Sequence, residues 1–347
     1  FFKYVTRIFS LFRFLLVCFQ SSLATQIVYK NHSCVPSAYS KMCILENFHY
    51  DEEETHVIHS FPANLHHVRI TRETRSVKGP VRTFNVNAKL HTMLGRPAIL
   101  EMQGYAMWHL ELPRALQQGI FPKLYIPNLT VEPGTDIPNL VYLDLSYNYL
   151  RNIANVSALI NLEVLLLGEN YINSIDPTTF QNLTKLRILN LGNNYLTKVA
   201  LNIYPKSLTE LNLFSCKIKS LNYRHLYYPS MEVLNIEQNK LTSIDGSALL
   251  LAMPKLKTIR IGWNLFEREE LQEALEQFQR HNISIRDEAD EAACYFNEQI
   301  VQGVCITDHE PPRGVMREIL MTVVVIVVAS ALGATLRWGF VSMKGGE

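Results

Sequence analysis

Four histidines near the amino end of the chain are the side chains most suited to metal chemistry. His56 and His59 are followed by His66 and His67, and an acidic run occupies residues 51–54. A His-x-x-His pair lacks the glutamate and the spacing of the H-E-x-x-H helix of metalloproteases, and no base stands between the two histidines. We therefore interpret the four residues as solvated histidines and expect no metal site.

No other pattern in the 347 residues is typical of catalysis. The chain has no glycine-rich loop that would cradle a phosphate and no G-x-S-x-G nucleophile elbow. Lys and Arg number 33 against 32 Asp and Glu, a net charge of +1 that excludes nucleic-acid binding through bulk positive charge. We expect a protein that is not an enzyme, needs no cofactor and binds no nucleic acid.

Cysteine spacing favours disulfides over a zinc site. Two local pairs bracket the middle of the chain, and their C-x8-C and C-x10-C spacings are not those of zinc ligands. We expect the disulfides Cys34–Cys43 and Cys294–Cys305 in an oxidising compartment. Five Asn-x-Ser/Thr sequons are compatible with secretion, and the glycosylation sites expected from them are Asn31, Asn128, Asn155, Asn182 and Asn282.

Both ends of the chain carry apolar segments typical of targeting and anchoring. Residues 1–24 have a basic start, an apolar stretch and a small-x-small motif ending at Ala24, which predicts a signal peptide, with a short membrane anchor or a buried helix as the alternative. Residues 319–336 contain no charge, and a helix rising about 1.5 Å per residue would just span a bilayer core over this length. We expect a single-pass type I protein of the plasma membrane; a buried helix and a lipid-anchor signal are the alternatives. The cytoplasmic tail would be residues 337–347, too short to signal without a co-receptor.

The strongest signal is a repeat with the pattern L-x-x-L-x-L-x-x-N/C-x-L, which is the leucine-rich repeat. The residues at its ninth position step by 22, 24, 22, 23 and 25 along the chain. They are Asn148, Asn170, Asn194, Cys216, Asn239 and Asn264. Six consecutive matches predict an α/β solenoid with a curved parallel sheet on its concave face and a disulfide cap at each end.

Each position of the repeat has a physical role. The leucines at positions four and six point inward from a short strand, because alternate side chains face opposite ways. The ninth-position asparagine is expected to be buried and to bond to neighbouring backbone through both its donor and its acceptor. Cys216 takes one of these places, where we expect a buried, unreactive free thiol.

Upstream of Leu140 the repeat weakens but persists. Three segments keep the strand spacing while losing the asparagine, and we expect a strand at each. They are Leu65-x-x-Val68-x-Ile70, Leu100-x-Met102 and Leu124-x-Ile126. Downstream, residues 267–279 have the apolar periodicity of an amphipathic helix that would cover the last repeat. The predicted organisation is an amino-terminal cap at 25–64, repeats at 65–266, a carboxyl-terminal cap at 267–310 and a stalk at 311–318.

A secretory leader, cysteine-bearing caps and these repeats together resemble the extracellular leucine-rich repeat proteins of animals. The irregular early repeats and the ending Gly262-Trp263-Asn264 are most similar to the insect leucine-rich immune molecules. The chain has neither a cysteine shortly after Trp263 nor a long coiled coil, so the resemblance is to the coil-less or transmembrane branch. It implies innate immune recognition of an extracellular protein or a microbial ligand, with cell adhesion or development as the alternative role.

The concave face is where we expect the ligand. Strand positions three, five and seven of each repeat face that side. Large apolar side chains there indicate a contact surface, unless they pack on one another across a tight curve or lie under a glycan. The expected ligand-binding residues are Tyr142, Val164, Leu166, Ile188, Asn190, Asn212, Phe214 and Val233.

Overall fold

The chain forms two compact units, Phe1–Leu162 and Glu163–Glu347, called unit 1 and unit 2 below. The computed structural model describes residues 27–36, 42–50, 57–72, 85–285, 294 and 298–307. The predicted signal peptide, stalk, membrane span and tail lie outside these ranges. In the part of the chain that is described, no helix is both long and apolar enough to cross a bilayer.

Unit 1 contains a sheet whose strands pair mainly in parallel. Its strands are β1 (Val28–Asn31), β2 (Val35–Pro36), β3 (Met42–Glu46), β4 (Val57–Ser60), β5 (His67–Thr71), β6 (Ile99–Gln103), β7 (Leu110–Leu112), β8 (Gln118–Ile120), β9 (Leu129–Val131) and β10 (Tyr142–Asp144). The sheet order is β10-β8-β6-β5-β3-β2, where β2 is antiparallel to β3. Parallel pairs β1-β4 and β7-β9 form two smaller sheets. Helix α1 (Ala88–Met93) begins after Asn87, whose Oδ1 accepts from the Leu90 nitrogen at 2.9 Å.

Unit 2 repeats one short strand per turn. Its strands are β11 (Val164–Leu166), β12 (Ile188–Asn190), β13 (Glu210–Asn212), β14 (Val233–Asn235), β15 (Thr258–Arg260), β16 (Ser284–Ile285), β17 (Glu298–Val301) and β18 (Val304–Thr307). Strands β11 to β16 form a parallel sheet in chain order, and β17 and β18 form an antiparallel hairpin. The helices are α2 (Gly246–Ala252) and α3 (Arg268–Arg280). One strand per repeat in parallel register is the architecture that the repeat pattern predicts.

The core of unit 2 is formed by the leucines at positions four and six. Leu165, Leu167, Leu189 and Leu191 are fully buried. Burying one such side chain is worth about 1.5–3 kcal/mol, so successive turns stabilise one another through this column. A single repeat has no partner for its apolar face, which is why the turns must stack.

The ninth-position asparagines form the expected ladder. Asn194 is 2 % exposed, and its Oδ1 accepts from the Ile172 nitrogen of the preceding turn at 2.9 Å. Its Nδ2 donates to the Leu167 and Leu191 carbonyls, both at 2.9 Å. Asn148, Asn239 and Asn264 likewise bond to their own turn and to the one before it, and all five asparagines are buried, so the prediction of a buried ladder is confirmed.

The residue before each ladder residue turns the chain sharply. Glu169, Asn193, Ser215, Gln238 and Trp263 all have φ between 51° and 57°. Non-glycine residues pay a cost of order 1 kcal/mol in this left-handed region, so the turn needs support from outside its own backbone. The asparagine side chains supply that support through their hydrogen bonds to the turn carbonyls.

The expected strand at Leu124-x-Ile126 is wrong, because the strand of that turn is β8. When this turn is aligned on β8, Gly119 and Phe121 take the positions that Leu143 and Leu145 hold in the next turn. A Cβ on Gly119 would lie 2.7 Å from the Phe121 ring, so this ring fills the space of the missing leucine. Leu124 therefore stands at the ladder position, and its backbone nitrogen donates to Asn148 Oδ1 at 3.1 Å. The other two irregular strands lie where expected, at β5 and β6.

Both ends of the repeats carry a disulfide. Cys34 is joined to Cys43, which lies in β3. Strand β3 pairs in parallel with β5, so the sheet extends into the region expected to be a separate cap. The second disulfide joins Cys294 to Cys305 in β18.

The carboxyl-terminal cap covers the last turns of unit 2. Helix α3 buries Leu271, Leu275 and Phe278 on one face, as the periodicity predicted. The Cys305 carbonyl accepts from the Trp263 nitrogen at 2.7 Å, and the Thr307 nitrogen donates to the Asn264 carbonyl at 3.0 Å. These two bonds attach the β17-β18 hairpin to the turn that follows β15.

Candidate functional site

The candidate site is the face of the unit 2 sheet that points away from the leucine core, called the sheet face below. In β11, β12 and β13 the middle residue is buried and the two flanking residues are half-buried. Val164 is opposite Ile188, and Leu166 is opposite Asn190, across β11 and β12. Asn190 is in turn opposite Asn212, and Glu210 stands between Ile188 and Val233. Tyr142 belongs to unit 1, so the expected site residues do not all lie in one unit.

The four apolar side chains of the expected patch are less accessible than the sequence suggested. Val164, Leu166, Ile188 and Phe214 are half-buried, and each keeps only part of its surface in contact with solvent. Parallel strands are about 4.8 Å apart, so side chains on neighbouring strands cover one another. The patch is a closely packed surface with limited apolar exposure.

A column of glycines lies beside Phe214 on the sheet face. Gly168 and Gly192 occupy the seventh position in the two turns before that of Phe214. A Cβ on Gly192 would lie 3.4 Å from the Phe214 Cβ, 3.2 Å from Asn190 Oδ1 and 3.3 Å from Asn212 Oδ1. These short distances show that the neighbouring side chains already fill the space over Gly192, with the Phe214 side chain and the two amides packed against it.

The two amides beside Gly192 offer hydrogen-bond donors. Asn190 Oδ1 accepts from the Gly192 nitrogen and Asn212 Oδ1 from the Phe214 nitrogen, both at 2.9 Å. Their Nδ2 atoms make no hydrogen bond to any residue that the structure describes. The hydrogen bond to Oδ1 fixes the orientation of each amide, and Nδ2 can then donate to a ligand. This arrangement is suited to binding a carbonyl or hydroxyl group of a ligand.

The thiol of Cys216 is buried in the core, where it has a structural role. Its side chain is 0 % exposed, and Sγ donates to the Leu191 carbonyl at 3.1 Å. Burial raises the pKa of the Cys216 thiol to about 11. A neutral, enclosed thiol is a poor nucleophile and a poor metal ligand, which agrees with the expectation of an unreactive core residue.

The histidines weighed as metal ligands have other contacts. His56 lies outside the described residues. His59 Nδ1 is 2.9 Å from His32 Nε2, and His67 Nε2 is 3.6 Å from the Glu101 carboxylate. Burial lowers the pKa of both His32 and His67. Across the described ranges, no three His, Cys, Asp or Glu side chains come together in a way that could hold a metal ion.

The expected glycosylation sites are on the surface. All five sequon asparagines are exposed, and those of unit 2 are Asn182 and Asn282. Neither lies at position three, five or seven of a repeat, so glycans at these two residues would leave the sheet face uncovered. Glycosylation itself stays a prediction.

Several exposed tyrosines lie on a surface other than the sheet face. They are not among the site residues expected from the sequence. Tyr171 and Tyr195 directly follow ladder asparagines and are 42 % and 43 % exposed, and Tyr125 and Tyr149 hold the same repeat position in unit 1. The signal was present as the repeated Asn-Tyr-Leu/Ile sequence at 148–150, 170–172 and 194–196. It went unused because the repeat pattern assigns no role to that position.

The leucine rich repeat family profile matches residues 160–218. The chain contains a leucine-rich repeat domain. Toll-like receptor 2 of Macaca fascicularis is 30 % identical over 163 residues, an alignment that covers 39 % of this chain and 20 % of the receptor. The chain thus spans about a fifth of the length of the curated relatives that it matches.

Two solved structures align with most of this chain. The leucine-rich repeat domain of APL1B has a TM-score of 0.44 and 14 % identity, covering 76 % of this chain and 78 % of that domain. A structure of the Drosophila Toll–Spatzle complex has a TM-score of 0.46 and 18 % identity, covering 64 % of this chain and 34 % of the other.

Proposed function

We propose that this chain is an extracellular recognition protein of innate immunity that is anchored in the plasma membrane. Its sheet face would bind a protein or a microbial ligand without catalysing a reaction. The observation that carries this proposal is the pair of oriented amides, Asn190 and Asn212, beside the half-buried Phe214 on the sheet face. An apolar contact beside a few oriented polar groups is the usual composition of a binding site.

Similarity to a receptor supports the immune assignment. Toll-like receptor 2 matches over 39 % of this chain, and a receptor among its relatives supports a recognition role. The apolar segments at 1–24 and 319–336 support secretion and anchoring. The exposed sequon asparagines support an extracellular position for the repeats, because Asn-linked glycans are attached to proteins in the secretory pathway.

The location is tested with the full chain expressed in cultured animal cells. We expect an antibody against the repeats to stain intact cells and a glycosidase to increase the electrophoretic mobility of the protein. A tag after residue 347 should be reached only after permeabilisation. Staining that needs permeabilisation for the repeats would contradict the extracellular assignment.

Recognition is tested with the same cells and fluorescent bacterial and yeast cell-wall preparations as probes. We expect at least one preparation to bind cells that display the chain, in proportion to its surface level. Binding should fall when Phe214 is replaced by Glu. If no preparation binds, and displaying cells instead aggregate with one another, the chain is an adhesion protein and the immune proposal is wrong.

A further inference from the structure

A second surface of unit 2 carries tyrosines and lysines at one repeat position. The residues that directly follow the ladder residue in four successive turns are Tyr171, Tyr195, Lys217 and Lys240, and all are exposed. Lys219, two residues after Lys217, is exposed beside them. These five residues are called the edge patch. They lie in the turn beyond the strand and are therefore separate from the sheet face.

The aromatic part of the edge patch holds one lysine in place. The rings of Tyr171 and Tyr195 are nearly parallel, with an interplanar angle of 16° and centroids 5.8 Å apart. Lys217 Nζ lies 4.3 Å from the Tyr195 centroid. Because a cation–π contact of this kind restricts a long side chain, Lys217 presents its charge at a defined place and loses less entropy on binding.

The lysines of the edge patch carry positive charges that none of the described residues neutralises. Among the described residues, no carboxylate lies within ion-pair distance of Lys217, Lys219 or Lys240. Elsewhere in unit 2 such pairs do form, as between Lys257 and Glu232 at 2.8 Å. Three uncompensated cations beside exposed tyrosines make a surface that attracts anions.

The spacing of the edge patch fits an extended ligand. Successive turns of a parallel sheet are about 4.8 Å apart, so four turns present polar groups at a regular interval over about 15 Å. The spacing of about 4.8 Å between successive turns is comparable to the length of one sugar residue in a polysaccharide. The patch is exposed throughout and forms no enclosed pocket, so a polymer lying across the turns can contact it at several points.

We propose that the edge patch binds an anionic polysaccharide. The lysines would contact sulfate or carboxylate groups on successive sugars. The exposed edges and hydroxyls of Tyr171 and Tyr195 would contact the sugar rings and their hydroxyl groups. Neither sequon of unit 2 is part of the patch, so glycosylation at Asn182 or Asn282 leaves it without an attached glycan. This inference does not depend on the proposed function, because it uses a different surface.

The test uses cells that display the full chain and two labelled polymers, sulfated heparin and neutral dextran. We expect heparin to bind in a manner that salt weakens, and dextran not to bind, because salt screens surface charge. The double substitution Lys217→Ser with Lys219→Ser should weaken heparin binding about tenfold at equal surface level. Tyr195→Ser should weaken it about threefold while all the lysines remain, because Lys217 loses the ring that positions it.

The matched control removes the same net charge elsewhere in unit 2. Lys206 and Lys255 are exposed and outside the edge patch, so Lys206→Ser with Lys255→Ser should leave heparin binding within about twofold. An equal loss in both double variants would show that net charge alone controls binding, and would overturn the proposal. Stronger competition by polyglutamate than by heparin would also overturn it, in favour of an acidic protein partner. We expect a Phe214→Glu variant to bind heparin as the unchanged chain does. This result would distinguish heparin binding at the edge patch from ligand binding at the sheet face.

Discussion

The side-chain oxygen of Asn239 accepts a hydrogen bond from the backbone nitrogen of Cys216 at 3.0 Å. The same oxygen accepts from the Ile218 nitrogen at 2.9 Å. Asn239 thus completes the turn of the preceding repeat, where the ladder residue is a cysteine. Cys216 has no side-chain oxygen, so its contact with the turn before it is made through Sγ, which donates to the Leu191 carbonyl at 3.1 Å.

Replacing Asn239 by Ala should destabilise the protein by about 2–4 kcal/mol, because several buried backbone groups would lose their partners. Nδ2 also donates to the carbonyls of Leu213 at 2.8 Å and Ile236 at 3.0 Å. The readout is the shift in Tm of the purified chain. Asn173→Ala, at an exposed position, serves as the control and should change stability by less than about 0.5 kcal/mol. Equal shifts for the two variants would contradict the role of the ladder.

Cys216 should resist thiol reagents while the protein is folded. Burial raises its pKa to about 11 from 9.0, so the thiol stays protonated and enclosed at neutral pH. We expect iodoacetamide, followed by mass spectrometry, to label Cys216 only after denaturation. Rapid labelling in the folded state would show that the site opens.

The same raised pKa predicts a loss of stability in alkali. The unfolded thiol releases its proton near pH 9 while the folded thiol keeps it to about pH 11. The contribution to stability is therefore complete below pH 9 and falls as the pH rises toward 11. A Cys216→Ala variant should show a smaller decline over this window. If both proteins lose stability in parallel, the thiol is not responsible.

The Cys294–Cys305 disulfide should stabilise the carboxyl-terminal cap. Its sequence separation of 11 corresponds to about 3 kcal/mol in the chain-entropy account. Cys294→Ser with Cys305→Ser should let a protease cut residues 294–307 faster. We expect the repeats of this variant to be cut more slowly than residues 294–307. The backbone hydrogen bonds of Trp263 and Thr307 still attach part of the hairpin to the repeats. Unchanged cleavage at 294–307 would show that the disulfide adds little.

Phe214→Glu should weaken ligand binding by the sheet face at least about tenfold, because a buried aromatic contact is worth roughly 1.5–3 kcal/mol. The fold should survive, since Phe214 lies outside the leucine core and is half-buried. Leu251→Glu is the matched control, because Leu251 is a 78 % exposed apolar residue of α2. The measurement is the affinity for whichever cell-wall preparation binds displaying cells. An unchanged affinity for Phe214→Glu would exclude Phe214 and the two amides beside it from the binding site.

The sequence by itself determined the repeated architecture. In every regular turn a leucine at position four or six faces inward, because successive side chains of a strand point to opposite faces of the sheet. The ladder asparagines could be assigned in the same way, because a buried amide must find partners and the turn backbone lies next to it. The buried state of Cys216 followed from its place in that series, as did helix α3 from its apolar spacing.

Only the tertiary structure decided the register of the irregular turn and the accessibility of the candidate site. Gly119 is acceptable in a leucine position because the Phe121 ring fills the space, which is a contact in three dimensions and not a property of either residue. Likewise, the half-burial of Val164 and Ile188 depends on strands that lie side by side, and these residues are 24 positions apart in the chain. The stacking of Tyr171 on Tyr195 has the same origin, since only the stacking of the turns brings equal repeat positions into contact.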